Sequence, residues 1–205
     1  MTLLGAVVCM VLPGTAPGES PESPGAVDLA DADRFVQLME DTAWRPSSSE
    51  LDRRYLDAGS PTLDTFAATR IGDGESLRRG LVDVAPDYRR AVDRCLPAAR
   101  ALAPRMPALL ASVSRVLGEP EGTGRTRVVV LFGAGRSAGT VLDGTIVLAL
   151  EVVCRDLPPH GDPVGLLAAF LLHEAVHVHQ LRHQRPGAVD SLLRQAMIEG
   201  FADLV

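Results

Sequence analysis

Apolar positions recur at helical spacing from residue 28 to 117, and only afterwards cluster as they do in strands. Between Asp31 and Asp41, Phe35, Leu38 and Met39 share one helical face. Ser47-Ser48-Ser49 supplies an N-cap for a helix running through Leu51 and Tyr55, which Gly59-Ser60-Pro61 ends. Further helical patterns span 62–70, 74–82, 85–102 and 106–117. Pro97 and Pro104 should break or kink the long stretch, since proline lacks an N–H and crowds the preceding turn. Gly118 to Gly124 is a turn-rich boundary. Beyond it, Arg127 to Phe132 (RVVVLF) and Thr145 to Leu150 (TIVLAL) read as buried strands, with a hairpin-type turn signal at Asp143-Gly144. A loop from Leu157 to Pro163 leads into a long helix from about Pro163 to His183, stopped by Arg185-Pro186-Gly187. A last helix, capped by Asp190 or Ser191, runs to the end. This order predicts an α+β fold: a helical half, a small sheet, then two helices. Gly133-Ala-Gly135 lacks the rest of a nucleotide-binding fingerprint and reads as a turn.

Composition narrows the partners. The chain has 205 residues and 46% hydrophobic content, enough for a real core. Its net charge is -6 with no basic block, which argues against a nucleic-acid partner. All 20 basic residues are arginine, a composition that reads as coding bias. Residues 1–27 resemble a signal peptide and linker: an apolar run from Leu3 to Leu12, then a Pro/Gly/Ser-rich stretch from Pro13 to Gly25. The run is too short to span a bilayer, so no stable membrane span is expected. No Arg or Lys precedes it and no clean cleavage site follows, so export is set against a cytoplasmic alternative. Ala6-Val7-Val8 before Cys9 is a poor match to a lipoprotein site. Cys95 and Cys154 could pair in an exported protein, or be two buried thiols. The expected division is 28–117 as a helical region and 118–205 as a core carrying a metal site.

Four of the five histidines lie between 173 and 183. In His173-Glu174-Ala175-Val176-His177, the two histidines stand one helical turn apart, where two neutral imidazoles can ligate one Zn²⁺. Leu166, Phe170 and Leu181 fall on the same side, so the pair should face the interior. Glu174 projects beside them as a general base for a metal-activated water. On the last helix Glu199 and Asp203 are again one turn apart, Glu199 as a third ligand and Asp203 as an acceptor for a ligand's ring N–H. Gly200 between them suggests close approach to a neighbouring helix. Only one ligand cluster is visible, so one zinc ion is expected.

HEAVH followed by EGFAD resembles the gluzincin metallopeptidases, of which thermolysin is the type. The stretch Tyr55-Leu-Asp-Ala-Gly-Ser-Pro and the Gly-rich strand region add a narrower resemblance to bacterial proteins predicted to be Zn-dependent proteases. The firm resemblance covers about residues 145–203. It implies a zincin-like core, His173, His177 and Glu199 as zinc ligands, Glu174 as base, Asp203 as orienter, and hydrolysis of a peptide or protein substrate. Gluzincins continue past the third ligand to an oxyanion-stabilising His or Tyr, whereas this sequence ends at Val205. An upstream group must then fill that role, or the chain is truncated or an inactive zinc-binding scaffold. Tyr55 and Tyr88 are the only tyrosines that could serve.

Four other readings complete the expectation. His183 has the spacing of a metzincin third histidine, but Gln180 stands where the required glycine would be, so His179 and His183 should point to solvent. His160 lies in a loop that could reach the site mouth, Glu151 ends a strand as a structural or solvated residue, and the strand at 145–150 could be an edge that pairs with an extended peptide.

Overall fold

The amphipathic stretch around Phe35 forms helix α1 (Ala30–Asp41), and Ser47 caps α2 (Ser48–Leu51) in a reciprocal capping box with Glu50. The computed structural model describes residues 27–119, 126–183 and 192–203. The signal-like segment through residue 26, the cap at Asp190 or Ser191 and the Arg185-Pro186-Gly187 stop lie outside the described residues. The remaining early helices are α3 (Pro61–Phe66), α4 (Gly74–Asp83), α5 (Ala85–Arg90), α6 (Leu96–Leu102) and α7 (Met106–Val116). Three π-helical turns, at Asp52–Leu56, Ala67–Ile71 and Ala91–Cys95, extend or link them. Both proline expectations find a local answer. Pro97 follows the wide turn at Ala91–Cys95, and Pro104 sits in a tight 3-10 turn, Ala103–Arg105, between α6 and α7.

The fold is mixed α+β, with helices dominating a four-stranded sheet ordered β1-β2-β4-β3. Its strands are β1 (Val27–Asp28), β2 (Val128–Leu131), β3 (Gly139–Leu142) and β4 (Thr145–Ala149). β1 and β4 both run parallel to β2, and β3 is antiparallel to β4. The Asp143-Gly144 signal is a two-residue hairpin with φ of 49° and 78°, the positive pair that a primed turn requires. Its first strand, β3, does not stand out in the sequence. The edge expected at 145–150 is therefore corrected: β4 lies inside the sheet, and β3 is the edge beside it. A short helix, α8 (Leu150–Val153), follows β4 directly.

One buried cluster runs from Ala32 to Ala202, so the change of texture near residue 118 does not separate two cores. At its centre Phe35 stacks on Phe132 with centroids 4.3 Å apart, and Tyr55 and Tyr88 pack around Phe35 at 5.3 and 5.8 Å. The Tyr55 hydroxyl donates to the Phe132 carbonyl and accepts from the Phe132 N–H, and Tyr88 donates to the Gly133 carbonyl. Glu151 is fully buried and accepts the Gly133 and Gly135 N–H groups at 3.1 Å each. It is structural: it closes the 133–135 turn that no strand partner satisfies.

Burial pushes the Glu151 carboxyl up to about 7, against the N–H bonds from Gly133 and Gly135 and nearby Arg155. Its stabilising contribution is complete below the unfolded value near 4.5 and is lost as pH rises through about 7. Unfolding free energy should fall on the order of 3 kcal/mol between pH 5 and pH 8 from this group. Denaturant titrations of the wild type and Glu151→Gln at both pH values check it, and the variant should show the smaller drop.

Cys95 and Cys154 are joined in a disulfide across a sequence separation of 59. It ties the turn before α6 to the end of α8. Cys154→Ser should lower unfolding free energy by about 4 kcal/mol, the loop-entropy value for this span. Urea titration of the variant, and of the wild type with reductant, should give matching losses.

Candidate metal centre

The longest helix, α9 (Pro163–Arg182), starts where Asp162 accepts the Val164 N–H and Pro163 occupies the first turn. It packs against α6, α7, β3, β4 and α10 (Leu192–Ala202). By length and hydropathy it could also cross a membrane, but here a third of it is buried in the protein. Nearly every face of α9 is apolar, so hydrophobicity alone does not choose the inward one. The residues that are buried are Leu167, Leu171, Glu174, Ala175, Val176 and Val178. This corrects the expectation that His173 and His177 face the interior beside Leu181. The histidines are half-buried on a cleft wall, Leu181 is exposed, and Glu174, at 7% exposure, is buried with Ala175 and Val176.

α10 returns along this wall and brings Glu199 and Asp203 to the histidines. His173 Nε2 and His177 Nε2 are 3.0 Å apart, and Glu199 Oε2 lies 3.5 Å from the first and 3.3 Å from the second. Asp203 Oδ1 is 3.0 Å from His173 Nδ1, a contact through which a carboxylate could orient that ring. Gln180 does the same for His177, a role the sequence reading did not assign. Its Oε1 lies 2.8 Å from His177 Nδ1, while its Nε2 donates to the Ile198 carbonyl of α10. Gly200 meets nothing: a Cβ there would have open space for 4 Å around it, so the expected close helix approach is absent.

These partners fix the tautomers. A carboxylate only accepts, so the Asp203-facing Nδ1 of His173 carries the proton. A backbone carbonyl also only accepts, which orients the Gln180 amide and leaves its oxygen for the Nδ1–H of His177. Both Nε2 atoms then present lone pairs to each other and to a carboxylate oxygen. Only a proton or a cation can relieve that convergence. Ligands at 2.0–2.1 Å around a tetrahedral ion stand roughly 3.3 Å apart, and the three donors here are spaced at 3.0, 3.3 and 3.5 Å. His173, His177 and Glu199 thus form a group that could hold a metal ion.

Glu174 stands apart from that donor set and lies under the edge strand. A Cβ placed on Gly139 would come 2.5 Å from Glu174 Oε1, so glycine is what leaves room for the carboxylate. Burial raises the Glu174 carboxyl above its ordinary range, with His177 and His173 pulling it back. Glu174, the three donors, β3 residues 139–141 and apolar residues of α9 and α10 line a cleft of about 880 Å³. Arg70, from the turn after α3, also lines it. Nothing in the sequence linked Arg70 to residues a hundred positions later.

Several sequence candidates lie elsewhere. Tyr55 and Tyr88 are buried on Phe132 and Gly133 and cannot reach a substrate oxygen. His160 is exposed and absent from the cleft lining. His183 is not grouped with His173 and His177. It belongs with His179 and Glu119 to a second group that could hold a metal, so the expectation of a single visible cluster is corrected. His179 is half-buried, with Nδ1 2.8 Å from Glu119 Oε1, rather than solvated. No family model, no curated protein and no solved structure matches the chain.

Proposed function

We propose that the protein is a zinc-dependent peptidase with a zincin-like core, in which His173, His177 and Glu199 hold the metal and Glu174 is the general base. The observation behind this reading is the convergence of three lone-pair donors at tetrahedral spacing, each histidine locked by its own acceptor. Zinc bound there would polarise a scissile carbonyl and acidify water. Glu174, held under Gly139 in a largely dry position, takes a proton from the attacking water and delivers it to the leaving amine. The edge strand β3 borders the same cleft and offers backbone groups to an extended peptide. Among the described residues of the lining Arg70 is the one arginine, which suits it to a developing oxyanion or a peptide carboxylate. The Cys95–Cys154 bond supports an oxidising compartment and hence export.

The test is metal analysis joined to an assay. Purified protein should contain or take up zinc, cleave unstructured peptides, and lose cleavage to a chelator with recovery on adding zinc. Zinc binding without cleavage of any peptide in a broad library would favour an inactive scaffold. Absence of zinc after mild purification and after addition would sink the reading.

A further inference from the structure

We infer that the last turn of α9 carries a second divalent-metal site, with His179 and His183 as its imidazole ligands and Glu119 as the carboxylate that holds His179. One donor atom from each residue lies within 4.8 Å of the other two. Glu119 follows α7, and its side chain is only 6% exposed. It accepts from Ser114 Oγ at 3.1 Å and faces His179 Nδ1 at 2.8 Å. The carboxylate fixes the proton of His179 on Nδ1, which leaves Nε2 as the bare nitrogen. His183 Nδ1 lies 2.9 Å from the His179 carbonyl, so its proton is fixed the same way and its Nε2 is also bare. The two rings stand one helical turn apart with centroids 4.3 Å from each other. A nearly buried anion therefore backs a pair of imidazoles oriented to donate, the pattern in which a carboxylate holds a metal-ligating histidine.

The rival for this anion is Arg182, whose guanidinium lies 3.4 Å from both Glu119 oxygens. That distance is beyond the usual range for a charge-assisted bond, and Arg182 is a third exposed, so it can withdraw into water when a dication enters. Imidazole donors favour Zn²⁺, Ni²⁺, Co²⁺ or Cu²⁺ over Mg²⁺ or Ca²⁺. His179 and His183 are also among the residues that line the cleft. This site is independent of the metal proposed at His173, His177 and Glu199.

Zinc titration of the full chain, read by calorimetry and elemental analysis, tests it. The wild type should bind two ions, and His183→Gln, a change at an exposed position, should bind one. His173→Ala should still bind one ion, and adding His183→Gln should remove it. Glu119→Gln should weaken the second site on the order of 10–100-fold. Arg182→Gln should tighten it, because the competing cation is gone, whereas a plain ion-pair anchor would show no change in metal binding. Two further results would overturn the inference: a single ion whose affinity is the same in His183→Gln, or no ion left in His173→Ala. A single ion that survives His173→Ala and is lost in His183→Gln would instead support this site and defeat the one in the cleft.

Discussion

Glu174→Gln is expected to lower peptide cleavage by about 10²–10⁴-fold while zinc content in the cleft stays at the wild-type level. The amide keeps the size and polarity of the carboxylate but cannot accept a proton. Glu174 is not one of the three residues whose donors converge, so its loss leaves that set intact. Its position depends on Gly139, which pairs with Leu148 of β4 and is held in the sheet. Gly139→Ala puts a methyl where the carboxylate now lies, 2.5 Å from Oε1 and 3.0 Å from Cδ, and the carboxylate must move. That variant should therefore reproduce part of the loss in turnover with zinc retained. Peptide cleavage and zinc content measured side by side on both variants decide the matter. If zinc disappears together with activity in Glu174→Gln, the residue is a ligand rather than a base.

Glu199→Ala should weaken cleft zinc more than any change to the orienting residues. It removes the only anionic donor of the three and leaves two neutral imidazoles. Asp203→Ala removes only the acceptor for the His173 Nδ1–H and should cost on the order of 10–100-fold in affinity. Gln180→Ala should cost a similar factor through His177, and it also loses the bond to Ile198 that fastens α10 to α9. His183→Ala should leave the cleft affinity unchanged. Competition titrations with a chromophoric chelator rank the four variants. A cleft affinity that falls in His183→Ala and holds in Glu199→Ala would reverse the ligand assignment and favour the metzincin arrangement.

The site was more legible than its surroundings, for physical reasons. α9 announces itself through length, a capping Asp162 with Pro163, and an unbroken apolar pattern. The i, i+4 spacings of His173/His177 and Glu199/Asp203 need only helical geometry to place each pair on one face. Their meeting across two helices was an inference from chemistry, and α10 brings them together. The inward face of α9 was misread because leucines and alanines surround the whole helix and no polar side marks the outside. β3 was missed because GTVL is four residues long and opens on glycine. Glu119 and Arg70 acquire their roles only through partners distant in the chain, which no local pattern reports, whereas Gln180 stands three residues from His177 on the same helix and its spacing was a signal the sequence offered.

The parallel pairing of Val27–Asp28 with Val128–Val129 links positions about a hundred residues apart. While the ribosome is still making the early helices, β2 does not yet exist. The stacked face of Phe35 and the carbonyl acceptors for the Tyr55 and Tyr88 hydroxyls are then missing. The nascent chain must wait through that interval with an unfinished apolar face, a state that chaperones or a translocation machine can hold open.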